Sequence, residues 1–177
     1  MATTPQFPPV IRYITANDSA GTSSFLKNDD PPRAQPTGPK SQMSAIFSTL
    51  PSFSIAKNTD LTHHEKTPRA GFPAAGASAF VVLDIGPNLD GVDGKLHKTQ
   101  TLDYCIIVEG ELELSLWGGK GEDGEENVER RVIKKGEVVV QRACWHAWLN
   151  LSKTEGARMV AVAIGSEGAL EGGIEFF

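Results

Sequence analysis

From Ser78 onward the chain is a series of short apolar runs separated by glycine-bearing or charged breaks: SAFVVLDIG, LDYCIIVEG, ELELSLWG, NVERRVI, EVVVQR, HAWLNLS and ARMVAVAIG. The breaks between them, such as EGE, KKGEV and NLSKTEGAR, suit antiparallel hairpins rather than helical crossovers. Period-two alternation is cleanest in ELELSLW, which predicts Leu112, Leu114 and Leu116 on a core face and Glu111, Glu113 and Ser115 toward water. A further run, VIRYIT, lies near the N-terminus, and no stretch has the pattern and caps of a useful amphipathic helix. Many short strands at regular spacing predict an all-β sandwich or barrel.

Two stretches break this pattern. Residues 28–42 and 57–78 are rich in proline, glycine and small polar side chains and read as loops, the second a candidate lid. The first 42 residues therefore read as an extended arm that packs on the barrel or on a partner subunit, and residues 43–177 as the barrel. A chain of 177 residues with 40% hydrophobic content can bury one core. Its net charge of −5 and scattered basic residues argue against nucleic acid as a partner. The absence of a signal-like N-terminus and of a bilayer-length apolar run predicts a cytoplasmic protein without membrane association. Cys105 and Cys144 sit in apolar runs without metal or redox spacing and read as packed thiols. The acidic GEDGEEN lacks the ligand spacing of a calcium loop and reads as a hairpin tip.

Candidate chemistry concentrates in two stretches. In KLHKTQTLDYCIIVEG, alternation puts His97, Thr99, Thr101 and Asp103 on one strand face, where buried polar groups need partners. In KKGEVVVQRACWHAWLN, His146 and Trp148 share a face, unless a bulge near Ala143 changes the register. Tyr104 and the tryptophans bring aromatic surface nearby, and Arg142 is placed either to grip a substrate carboxylate or to point outward.

These two stretches resemble the paired motifs of the cupin superfamily, G-x5-H-x-H-x3,4-E-x6-G and G-x5-P-x-G-x2-H-x3-N. His97, Gly110, His146 and Asn150 match and Gly136 stands one residue nearer than the motif's glycine, whereas Thr99 stands for the second histidine, Asp103 for the glutamate, and Gln141 and Ala143 for the proline and glycine. HKTQTLDY and VQRACWHAWLN are similar more closely to small fungal and bacterial single-domain cupins of secondary metabolism.

The resemblance implies an antiparallel jelly-roll β-barrel with an extended N-terminal segment, in which His97, Asp103 and His146 face one interior mouth. It implies catalytic roles for those three and a substrate lining of Thr99, Thr101, Tyr104, Gln141, Arg142 and Trp148. It leaves two states open: one divalent metal (Fe, Mn, Ni or Zn) on His97, Asp103 and His146, or a metal-free polar pocket. The function it implies is a lyase, decarboxylase or dehydratase, acting on an aromatic or polyketide-type carboxylic acid. The alternatives are a metal-dependent dioxygenase and a non-catalytic ligand-binding module. A small-molecule substrate and a homodimer complete the expectation.

Overall fold

The computed structural model describes residues 7–26, 32–66 and 71–177; the parts of the two loop readings at 28–31 and 67–70 lie outside it. Its strands are β1 (Thr15–Asn17), β2 (Ser23–Phe25), β3 (Ala34–Gly38), β4 (Ser41–Thr49), β5 (Ser78–Ile85), β6 (His97–Lys98), β7 (Thr101–Glu109), β8 (Glu111–Lys120), β9 (Glu126–Lys134), β10 (Val138–Arg142), β11 (His146–Leu149), β12 (Ala157–Gly165) and β13 (Glu175–Phe176). One helix, α1 (Thr59–Lys66), lies between β4 and β5. The expected antiparallel jelly-roll is realised as a six-stranded sheet ordered β10-β7-β12-β5-β4-β3 facing a five-stranded sheet ordered β13-β6-β11-β8-β9. No helix among the described residues is long and apolar enough to cross a membrane.

The core lies between the sheets. Cys105 and Ile107 of β7, Leu112 of β8, and Ala157, Met159 and Ala161 of β12 are buried together, with Val81, Leu83, Val139 and Trp148 packed against them. The β7–β8 turn is made by Gly110, which adopts φ +68° and whose missing Cβ would meet the Gly156 carbonyl at 2.9 Å. Only glycine meets both conditions at this hairpin.

Four sequence expectations change. Residues 34–42, read as loop, form most of a hairpin: β3 is the sheet edge, where the Pro36 ring removes no needed donor. VIRYIT forms no strand except at Thr15, and residues 10–14 carry no regular secondary structure. A short helix stands inside the 57–78 loop, entered by a reciprocal pair in which the Thr59 amide donates to the Ser54 carbonyl and the Ser54 amide donates to Thr59 Oγ1. Ser115 is buried rather than wet, because the Arg130 guanidinium reaches over it and donates to its hydroxyl at 3.2 Å.

The arm is fastened by charge. Asp84 of β5, 2% exposed, receives Nε of Arg158 at 2.6 Å and the Arg158 Nη2 at 2.9 Å. The same guanidinium donates to the Pro8 carbonyl and lies under the Phe7 ring at 4.8 Å. Farther along, β3 pairs with β4 only as far as Ser44, which leaves the upper edge of β4 open. Arg12 donates to the Ile46 carbonyl there at 2.7 Å, and His64 of α1 stacks on Phe47.

A carboxylate buried beside β12 depends on its bidentate partner. Arg158→Met is expected to lower stability by about 3–5 kcal/mol in denaturant unfolding, and Asp84→Leu added to it is expected to recover part of that loss. Additive losses would show that the two charges act independently.

Candidate functional site

The site is built around a corner. β10 ends at Arg142 in the six-stranded sheet, and β11 starts at His146 in the five-stranded one. The chain crosses between them through Ala143, a non-glycine residue at φ +42°, at the position where the motif carries glycine. The bulge foreseen near Ala143 is thus a change of sheet.

On the six-stranded side, Gln141 sits opposite Asp103, Asp103 opposite Ala163, Ala163 opposite Ala79, and Ala79 opposite Ser48. This inward row is polar at one end and small in the middle. Gln141 Nε2 donates to Asp103 Oδ2 at 2.7 Å, whereas Asp103 Oδ1 and Gln141 Oε1 are buried without partners. Burial holds the Asp103 carboxyl above the usual carboxylate range, against hydrogen bonds from Thr101 and Gln141. Thr99 and Thr101 are buried beside it and share a hydroxyl–hydroxyl bond of 2.8 Å.

On the facing sheet His146 is the cross-strand neighbour of His97, with ring centroids 4.3 Å apart. His97 Nδ1 engages the Lys95 carbonyl at 3.0 Å, and His146 Nδ1 the Cys144 carbonyl at 2.9 Å. A carbonyl only accepts, so each Nδ1 carries the hydrogen, and in the neutral ring the lone pair sits on Nε2. Burial pushes His146 down to about 4, so its imidazole is neutral at working pH; His97 is half-buried. Trp148, also inward, packs on the core cluster and forms the floor beneath His146.

Two of the expected lining residues do not reach this space. Tyr104 and Arg142 fall on the alternate positions of β7 and β10, so both are exposed on the outer face of the six-stranded sheet. Trp145 also turns away from the interior, with Phe177 at its ring edge and Lys98 above it. His63 lines a shallow cleft with Ser48, Thr49, Phe72, Ala79 and Glu171, and His64 is committed to the β4 edge. The cleft shares Ser48 and Ala79 with the inward polar row, so it opens beside the site. Sequence reading overlooked the alanines of β12, although ARMVAVAIG alternates small inward with large outward residues. It also overlooked Phe176 of β13, which pairs beside His97. Cys105 is a core thiol pushed up to about 12 by burial, and Cys144 is likewise raised; both are free.

Among the described residues no three His, Cys, Asp or Glu side chains gather closely enough to hold a metal ion. The donors explain why: the two imidazoles form a pair, Thr99 offers only a neutral hydroxyl, and Asp103 is committed to Gln141 on the other sheet. The residues present do not fit a complete metal-ligand set.

No protein-family model matches the chain. It is 31% identical over 174 residues to Oryzines biosynthesis cluster protein J of Aspergillus oryzae, covering 96% of this chain and 90% of that protein. It is 30% identical over 149 residues to the cupin-domain-containing oxidoreductase srdD of Neurospora crassa, covering 84% of this chain and 70% of that one. Among solved structures, the 7S globulin of Momordica charantia shares the fold at a TM-score of 0.50 and 11% identity, over 82% of this chain and 34% of that one.

The neutral, buried His146 couples stability to pH. Between 6.5 and about 4 the unfolded chain takes up a proton that the folded ring refuses, so stability falls as pH drops through that window. The full loss amounts to about 3 kcal/mol. Asp103 acts in the opposite sense, because its raised carboxyl makes the folded chain the better proton binder above 3.8. In urea unfolding, His146→Gln is therefore expected to flatten the loss between pH 6.5 and 4.5, and an unchanged slope would mean that His146 is not held neutral.

Proposed function

The chain belongs to the cupin-domain family that includes these fungal biosynthesis-cluster proteins, and from that premise we propose that it is a secondary-metabolism lyase working by proton transfer inside the barrel. The observation that carries this reading is the His97–His146 pair, each ring held through Nδ1 by a backbone carbonyl and His146 kept neutral by burial. A neutral imidazole is the form that can take up a proton.

The reaction that suits it best is a dehydration. His146 Nε2 takes the proton from a carbon next to a carbonyl, the C–O bond of a neighbouring hydroxyl breaks, and His146 returns the proton to that oxygen, which leaves as water. His97 Nε2 accepts a hydrogen bond from the substrate and orients it. Thr99 and Thr101 supply hydroxyl partners, and Ala79, Ala163 and Trp148 give apolar walls for an aromatic or polyketide-type body. Decarboxylation of an acid is less well served: the inward positions of β5, β12, β7 and β10 carry no arginine or lysine, and Arg142 points outward.

A second reading, an oxidoreductase, is favoured by the name of the Neurospora crassa relative. A metal in such an enzyme would activate dioxygen or polarise a carbonyl. Because the described side chains do not form its ligand set, no step is assigned to it here.

Turnover of β-hydroxy carbonyl compounds with aromatic or polyketide-type bodies, followed with and without air, separates the two readings. A lyase is expected to work equally well in both and to lose about 10²–10⁴-fold in kcat with His146→Ala. Dependence on air, with near-stoichiometric metal by elemental analysis that disappears in both His97→Ala and His146→Ala, would replace it by the oxidoreductase.

A further inference from the structure

The shallow cleft beside the inward row takes no part in the proton transfer proposed above, yet it has a fixed wall. Residues 71–77 form that wall, zipped to the end of β12 and the turn after it. The Gly76 amide donates to the Gly165 carbonyl at 2.9 Å, the Gly165 amide to the Ala77 carbonyl at 3.0 Å, the Ala75 amide to the Ala169 carbonyl at 3.1 Å and the Gly172 amide to the Phe72 carbonyl at 2.7 Å. The approach is so close that a Cβ at Gly165 would overlap the Ala74 carbonyl oxygen. A wall held in this way loses little freedom when a ligand meets it.

The lining has an apolar part and a polar part. Ala77 and Ala79, both buried, are small where larger side chains would fill the space, and Phe72 and Pro51 add apolar surface. Ser48 and Thr49 are buried as well, and Thr49 Oγ1 lies 2.8 Å from Ser78 Oγ. Two hydroxyls that share one hydrogen bond still hold an O–H and lone pairs for a further partner. Glu171 is the one carboxylate, and no lysine or arginine is among the described lining residues, so an anionic group finds no counter-charge there.

The cleft lies at the same end of the barrel as the threonine hydroxyls. β12 ends at Gly165 opposite Thr101, and the next residue, Ser166, donates to the Gln100 carbonyl from its amide at 3.1 Å and from its hydroxyl at 3.0 Å. From there the inward row leads back across four neighbouring strands, through Asp103, Ala163, Ala79 and Ser48. Three strand spacings of about 4.8 Å make it about 14 Å long.

We propose that the cleft is the distal half of the substrate site, and that the substrate is an elongated, neutral molecule. Its apolar body lies along Ala163 and Ala79, and a hydroxyl at its far end is held by Ser48 and the Thr49–Ser78 pair. The length corresponds to an extended chain of about eleven carbon–carbon bonds. This inference rests on the reading that the reacting end lies at the His97–His146 pair.

The test is isothermal titration calorimetry of the full chain with two probes. One is the methyl ester of a four-carbon β-hydroxy acid, and the other that of a twelve-carbon β-hydroxy acid hydroxylated also at its far end. Thr49→Val removes a hydroxyl at constant shape. Glu171→Trp fills the cleft from an exposed turn position, with circular dichroism as the check of folding. The long diol is expected to bind at least about 50-fold more tightly than the short ester, the gain from burying three further CH₂ groups at about fourfold each. Glu171→Trp is expected to remove most of that gain and Thr49→Val to weaken the long diol about fivefold, the short ester being unchanged in both. His146→Ala is expected to keep the gain while turnover falls, so failure of the lyase reading shows in turnover and failure of the cleft shows in binding. Equal affinities for the two probes, no binding of the long diol, or a gain that survives both cleft variants would overturn the proposal.

Discussion

The chain has three residues in which to leave one sheet and enter the other, and the interior depends on how it does so. Ala143 turns the backbone through the left-handed region, at a cost of roughly 1–2 kcal/mol for a residue with a Cβ. In return Gln141 ends on the sheet that carries Asp103, and His146, five residues on, starts on the sheet that carries His97. At the far end of β11, Asn150 fixes the crossing. Its Nδ2 donates to the carbonyls of Ile85, Gly86 and Glu155, and its Oδ1 accepts from the Ser152 amide. A buried amide with four partners holds the strand in register where a hydrophobic residue could not.

Much of this was legible because strand alternation is a rigid rule. Within β7 alternation places Thr101 and Asp103 inside, and the same rule, applied to Tyr104 and Arg142, puts them outside; the single strand face expected from His97 to Asp103 is not formed, because the chain changes sheet between β6 and β7 and His97 stands on the facing sheet. Sequence reading assigned Tyr104 and Arg142 to the substrate by their chemistry and by their proximity to the motif. The elements that went unread share a different cause. β3 and the start of β4 are built from proline, serine and glutamine, since an edge hairpin needs neither both faces apolar nor every donor. α1 is held by Ser54, Arg12 and β4 rather than by an apolar stripe of its own. Tertiary contacts, not local propensity, decide both.

The two faces of β7 reverse the usual order of a sheet. Toward the barrel it presents Thr101 and Asp103 before the core begins at Cys105, and toward the outside it presents Leu102, Tyr104 and Ile106. The polar residues inside cost stability, and Asp103 Oδ1 and Gln141 Oε1 stay without hydrogen-bond partners. The apolar residues outside cost solubility unless they are covered.

The alanines of β12 and β5 set the bore of the barrel. Ala79, Ala161 and Ala163 stand where larger side chains would fill the space between the sheets, and none is needed for a turn. Ala161 belongs to the packed core, where added methyl groups would strain the barrel, whereas Ala79 and Ala163 lie in the inward row beside Asp103, where valine or leucine would narrow the space between the sheets. The His97–His146 pair on the opposite wall would stay untouched, so under the proposed reading such exchanges would alter which molecular body is admitted and leave the reaction the same.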